Sequence, residues 1–155
     1  MPRIALATDT STFQHFAALV SEYEQMLPAN LRHSNFTAEL ASIERVYGPP
    51  NAAFVATIDG EPCGCVALTR LDPGTAVVKK MYVRPTARNR GVARALMQAL
   101  EQEARRQGYR RLVLDTERNA LPEAYNLYVS LGFSECGPYG DVDYATPTFM
   151  ERRLK

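Results

Sequence analysis

The hydrophobic pattern of this chain changes period once, between Val83 and Gly91, and few folds satisfy both halves. Before the change, apolar runs are short and divided by turn signals. Ala53 to Ile58 reads AFVATI, Asp59-Gly60 follows, and Cys63 to Leu68 reads CGCVAL. An Asp-Gly step between two such runs predicts a hairpin, because these residues tolerate the positive φ of a tight turn. Leu71-Asp72-Pro73-Gly74 predicts a second turn, and TAVVKKMYV, Thr75 to Val83, a third strand closed by Pro85. The three strands form an antiparallel meander. After the change, GVARALMQALEQEARRQ, Gly91 to Gln107, sets Val92, Leu96, Leu100 and Ala104 four apart. Ala95 and Ala99 widen that helical stripe, and Gly108 ends it. RLVLDT, Arg111 to Thr116, predicts a compact buried strand. Pro122 opens another helix, Ala124, Leu127, Tyr128 and Leu131 share its face, and Gly132 stops it. Strand, helix and strand in this order form one β-α-β unit, parallel and with a right-handed crossover. The fold class is α/β: a mixed sheet, of the α+β kind, with helices on its faces.

The ends of the chain read less sharply. Ile4 to Ala7 predicts a short first strand. Ser11 or Thr12 then caps a helix carrying Phe13, Phe16, Leu19, Val20 and Tyr23, which ends before Pro28. Phe36, Leu40, Ile43 and Val46 give a second helix, ended by Gly48-Pro49-Pro50. The tail holds two strand candidates, Phe133 to Cys136 and Thr146 to Leu154. No repeat or linker interrupts the 155 residues, and a single domain over 1–155 is expected. With 46% apolar and 23% charged residues the chain is not disordered. A chain of this size buries roughly 68–70% of its unfolded surface, so it needs no disulfide or metal to hold a core.

Cys63, Cys65 and Cys136 are odd in number and irregular in spacing, which excludes a secreted disulfide framework. Cys63 and Cys65 lie two apart, as residues on one face of a strand. Neither His15 nor His33 completes a zinc spacing, so no metal is expected. Free thiols fit a reducing cytosol. No apolar run approaches the ~20 residues of a membrane helix, and MPRIALATDTS is unlike a signal peptide. A cytoplasmic location without a membrane partner is expected.

Charge is uneven. The whole chain carries +1, yet Lys79, Lys80, Arg84, Arg88, Arg90 and Arg94 fall in one acid-free stretch. That stretch straddles the end of a strand and the start of a helix. Helix-start N–H groups and the positive end of the dipole attract anions. Gly91 and Ala93 let an anion approach the backbone, and Arg88 and Arg90 add charge-assisted hydrogen bonds, each about 1.5–3 kcal/mol. A phosphate-bearing ligand fits here. A basic cluster alone usually solvates a helix start, but strand end, small residues and helix start coincide here. Nucleic acid is not the expected partner, because the rest of the chain is net acidic.

RNRGVA, Arg88 to Ala93, resembles the R/Q-x-x-G-x-G/A pyrophosphate loop of the GNAT superfamily of acyl-CoA N-acyltransferases. KKMYVRP is similar to the strand that enters that loop, and LYVSLGF, Leu127 to Phe133, to the segment closing the family's fourth helix. The resemblance covers nearly the whole chain. It implies a GNAT-like fold, with a splayed parallel strand pair in the β-α-β unit. It implies an N-acetyltransferase, of the bacterial small-molecule or protein-modifying type, that moves an acetyl group from acetyl-CoA to a primary amine in a ternary complex. Asn89, Arg90, Gly91, Val92, Ala93 and Arg94 would cradle the pyrophosphate. Met81, Tyr82 and Val83 would border the pantetheine arm, with Met81 and Val83 pairing to it like an added strand. A backbone N–H near Met81 would stabilise the developing oxyanion. Tyr128 would protonate the leaving thiolate, a mildly uphill step, since a phenol's pKa of about 10 exceeds a thiol's ~8.5. The ring also lies on the packing stripe of its helix, and Tyr125 lies off it.

Two positions depart from the family pattern. The usual glutamate of the entry strand falls on Val77, so no base is read there. The usual asparagine of the last helix falls on Leu121, with Asn119 nearby as a substitute. The Val77 departure also motivates an alternative, a non-catalytic acyl-CoA-binding regulatory module. The acceptor, a small molecule or a peptide amine, is expected between residues 28–36 and the tail loop 137–147. That loop carries Tyr139, Asp141, Asp143 and Tyr144, which would suit a cationic amine. His33 is a base by type. A monomer or a homodimer is expected.

Overall fold

The computed structural model describes residues 1–142 and 144–155; Asp143, named above for the acceptor loop, lies outside them. Seven strands form one sheet: β1 (Arg3–Leu6), β2 (Ala52–Ile58), β3 (Glu61–Asp72), β4 (Thr75–Val83), β5 (Arg111–Thr116), β6 (Ser134–Glu135) and β7 (Thr148–Arg153). Their order is β1-β2-β3-β4-β5-β7-β6. β1 to β4 pair antiparallel, as the turn chemistry dictates, and β4 pairs parallel with β5. The mixed sheet with a β-α-β unit is the expected one.

Helices cover both faces. α4 (Val92–Arg106) buries Val92, Leu96, Met97, Leu100 and Ala104 against β2, β3, β4 and β5. Gly108, at φ 87, follows this helix, and the Tyr109 N–H returns to the Ala104 carbonyl at 2.9 Å. α5 (Pro122–Ser130) closes the same layer with Tyr128 and, just past its end, Leu131. On the other face α1 (Thr10–Met26) packs Phe13, Phe16, Leu19 and Val20 against Ala53, Val55, Cys65 and Ala67.

Three local expectations are corrected. Asp9, not Ser11 or Thr12, caps α1: its carboxylate accepts the Thr12 N–H at 2.8 Å, and the helix starts a turn earlier. The single helix expected from Phe36 is two, α2 (Phe36–Ala41) and α3 (Ile43–Tyr47). Ser42 (φ −118°, ψ 25°) breaks it, its N–H going to the Glu39 carbonyl at 3.1 Å. Cys63 and Cys65 are buried free thiols but on opposite faces. The β2–β3 register shifts between Ala56 and Thr57, so Cys63 is an extra residue and reverses the alternation.

A second bulge shapes the centre of the molecule. Ala67 faces Lys79 and Cys65 faces Tyr82, so three steps of β4 oppose two of β3. The extra residue is Lys80, at φ 60. Its phase shift keeps Val78 and Met81 on the α4 side while Lys80 and Tyr82 turn toward α1 and α2.

Candidate active site

β4 and β5 pair only at Thr75–Arg111, Ala76–Leu112 and Val77–Val113. Both strands continue, but as a pair they separate. A groove of about 1210 Å³ opens between them, above the usual range for compact ligands of roughly 300–1,000 Å³. The splayed strand pair inferred from sequence is therefore present.

One end of the groove is main chain. The Arg84 N–H bonds to the Cys63 carbonyl at 2.8 Å. By strand alternation Tyr82 shares that direction, and Met81 and Val83 turn their backbone groups to the gap. The Val83 carbonyl already accepts Arg88 Nε at 3.1 Å. Beyond, Asn89 (φ 63) and Gly91 (φ 78) turn the chain into α4. The first helical bond there is Ala95 N–H to Gly91 O, 3.0 Å, so the Val92, Ala93 and Arg94 amides precede it. No side chain caps this helix. A Cβ on Gly91 would meet no atom within 4 Å, so the space above the turn is open. These features fit a diphosphate.

Of the residues singled out by sequence, Met81, Tyr82, Val83, Arg88, Asn89, Gly91, Val92, Ala93, Arg94 and Tyr128 line the groove. Arg90 and Asn119 do not; both are exposed. Asn119 is held in a turn in which Glu117 accepts its N–H at 2.9 Å and that of Ala120 at 3.1 Å. Asn126, on α5, lines the wall instead. The Tyr82 side chain is committed to α1: its ring lies 5.9 Å from that of Tyr23 and its hydroxyl 3.3 Å from Glu22. Its backbone groups face β3, so it borders the gap without pairing across it. Tyr125 is tied outside, its hydroxyl donating to Glu135 at 2.7 Å.

Tyr128 is both a core residue and a groove residue. Its ring packs edge-on against Phe133 at 6.0 Å within the core. The residue also lines the groove. Burial, with the nearby Tyr23 and Asp115 groups, pushes its pKa well above the ordinary phenol value. It stays protonated throughout the neutral range.

The far end of the groove is side chain. Lys80 Nζ, buried, pairs with Glu39 at 3.2 Å and lies 5.8 Å from the centre of the Phe36 ring. Burial works against the Glu39 charge, but the Tyr47 hydroxyl and Lys80 hold its carboxyl below the usual range. His33 is not an isolated base: its Nδ1 lies 2.8 Å from Glu24 Oε2, and its backbone N–H also bonds that carboxylate. Val77 is buried against Val113 and offers no base. Asp115, missed by the sequence reading, lines the groove together with Tyr144 and Asp141. Its signal was a carboxylate in phase with Val113 in an otherwise apolar strand.

Among the described residues no group of three or more His, Cys, Asp or Glu is placed to hold a metal. No helix among them is long and apolar enough to cross a membrane.

Comparison with known proteins agrees with this geometry. The sequence model of the acetyltransferase (GNAT) family matches residues 16–133. An uncharacterised N-acetyltransferase of Schizosaccharomyces pombe is 38% identical over 127 residues, 80% of this chain and 77% of that protein. An acetyltransferase of Streptococcus agalactiae shares the fold with a TM-score of 0.78 at 24% identity, covering 99% of this chain and 98% of that one. An aminoglycoside 6′-N-acetyltransferase complexed with coenzyme A shares it at 0.72 and 14% identity, over 97% and 96% of the two chains.

Proposed function

This chain belongs to the acetyltransferase (GNAT) family, and we propose that it transfers the acetyl group of acetyl-CoA directly to a primary amine bound in the same groove. One observation carries the reading: Tyr128, a buried phenol, shares a single groove with uncapped helix-start amides. Acetyl-CoA supplies the acetyl group already activated as a thioester.

The residues divide the work. The Val92, Ala93 and Arg94 amides, with Asn89 and Gly91 shaping the turn, hold the diphosphate, and Arg88 and Arg94 add charge. Arg90 contributes from outside the groove wall. Met81 and the N–H of Val83 pair with the pantetheine arm. The Met81 N–H donates to the carbonyl oxygen as charge develops on it. Tyr128 gives its proton to the departing sulfur. Because its pKa is raised, that donation is uphill, so it assists late rather than driving departure.

The test is a thermal-shift and thiol-release screen. Acetyl-CoA at 100 times its dissociation constant should add about 2.7 kcal/mol of stability, and thiol should appear only when an amine is present. No stabilisation by acetyl-CoA would overturn the reading. Stabilisation without thiol release by any amine would favour a binding module instead.

A further inference from the structure

Among the described carboxylates that are buried, ion-paired or on the groove, all but one are accounted for. Glu22 pairs with Arg84, Glu24 with His33, Glu39 with Lys80, Glu101 with Arg105 and Arg152, Glu103 with Arg106, Glu135 with Arg118, and Glu151 with Arg111. Glu117 is buried and has no cation, but it is satisfied by two backbone N–H groups. Asp141 and Glu123, at the groove margin, are exposed to water. Asp115 alone is half-buried in the groove with no cation paired to it among the described residues.

Its setting is specific. Leu112 and Leu114 enter the α4-side core, so Asp115 projects to the opposite face, two residues past the last β4–β5 pairing at Val77–Val113. Tyr139 donates its hydroxyl to Oδ1 at 2.7 Å and Tyr144 donates to Oδ2 at 2.8 Å. Tyr139 is held in turn by edge-on packing on Phe149 at 5.1 Å. Each carboxylate oxygen has accepted one bond and can accept another. The phenols fix the carboxylate in place without neutralising it. Its charge is felt on every side: after burial, it helps raise the pKa of Tyr23 on α1, to about 12, and those of Tyr139 and Tyr144 on the tail loop. With burial and Tyr23 it also raises that of Tyr128 on α5. A partly desolvated carboxylate in this state attracts a cation.

We propose that Asp115 binds the ammonium group of the acceptor and takes the proton which that group must lose before attack. The acceptor class is then a primary alkylamine, cationic at neutral pH, bordered by the rings of Tyr23 and Tyr144. The proposal rests on the transferase reading above. One proton of R–NH₃⁺ passes to the Asp115 carboxylate and on to water. The nitrogen lone pair forms the C–N bond as the C–S bond breaks, and the electron pair leaves on sulfur. Tyr128 protonates that sulfur and is restored by the second amine proton. The sum is an amide, a thiol and one released proton. Asp115 thus supplies, from the neighbouring strand, the base that Val77 cannot.

The test uses n-butylamine, phenethylamine, spermidine and lysine amide as acceptors, with thiol release read from pH 6 to 9.5. The wild type should acetylate at least one of them. Asp115→Asn should lower kcat/KM by about 10²–10³, while acetyl-CoA still stabilises the variant as it does the wild type. Asp115→Glu should recover part of the loss. Tyr144→Phe guards against misfolding of the first variant: with one hydrogen bond to the carboxylate gone, kcat/KM should fall severalfold. Unchanged kcat/KM in Asp115→Asn and Tyr144→Phe would overturn the proposal. So would wild type that binds acetyl-CoA yet acetylates none of the four amines. Loss of acetyl-CoA binding by the wild type itself would instead overturn the donor reading on which the proposal stands.

Discussion

The two ends of the groove, a donor end and an acceptor end in the function proposed above, are built from different materials. The donor end is main chain: amides at the start of α4, small residues and a strand edge, with exposed arginines around them. The acceptor end is side chain: Tyr23 from α1, Glu39 from α2, Lys80 from the β4 bulge, Asp115 from β5 and Tyr144 from the tail. Backbone is common to all sequences, so the donor end asks only for a conformation. Side chains must be brought from five segments and held by one another. Changes at the donor end should therefore alter affinity alone, while changes at the acceptor end should alter stability or turnover.

The largest effect should come from Lys80→Met. The Lys80 side chain is 3% exposed and its partner Glu39 17%. Removing one half of such a pair strands the other, a loss of about 3 kcal/mol in urea denaturation. An equal loss of acetyl-CoA affinity in the folded variant would break the division between the two ends. Next, Tyr128→Phe should lower kcat by about 10², the low end for acid catalysis. Its acetyl-CoA dissociation constant, by calorimetry, should stay put. Gly91→Val comes third. A β-branched residue at φ 78 costs of order 1–3 kcal/mol, so acetyl-CoA should bind about tenfold more weakly with kcat at saturation retained. A fall in kcat there would show that the donor end also positions the acceptor.

A final effect concerns alkali. Tyr47 and Tyr128 have folded pKa values raised above the ordinary phenol value, mainly by burial, and that of Tyr23 reaches about 12. A raised folded pKa gives stability that is complete below the unfolded value near 10 and is lost as pH rises through the folded one. Each phenol kept protonated then costs about 1.4 kcal/mol per pH unit above ~10. Unfolding free energy should be flat from pH 8 to 9.5 and decline beyond. Because Tyr23 and Tyr144, two of the four phenols that sense Asp115, border the acceptor end, turnover should fail before acetyl-CoA binding does.

The same division decides what could be read from sequence. The diphosphate cradle is seven consecutive residues, Arg88 to Arg94, and local chemistry names it. Tyr128 stood out through the resemblance of LYVSLGF to the family's closing segment; helical spacing alone put it on a packed stripe. The acceptor end has no such contiguity. Nothing local says that Lys80 is the extra residue of a bulge, since lysine is not the residue that φ 60 favours. Cys63 reversed its strand's alternation for a similar reason: bulges depend on the partner strand's register. Asn119 was chosen by proximity in sequence, whereas the turn capped by Glu117 holds it outside and the helix brings Asn126 to the wall. Asp115 left a trace, one acid inside RLVLDT. Its meaning depends on Tyr139 and Tyr144, more than twenty positions away.

Lys80 is added to β4 rather than exchanged into it. A chain lacking that one residue would keep Met81 and Tyr82 on the faces they now occupy and would run in step with β3 along this whole stretch. What would disappear is the bend, since an inserted residue is what curves a strand. A straight β4 could then zip onto β5 beyond Val77 and Val113, and the cleft would heal shut. The opening through which substrates meet is in this respect a matter of chain length, one residue longer than a well-made sheet requires.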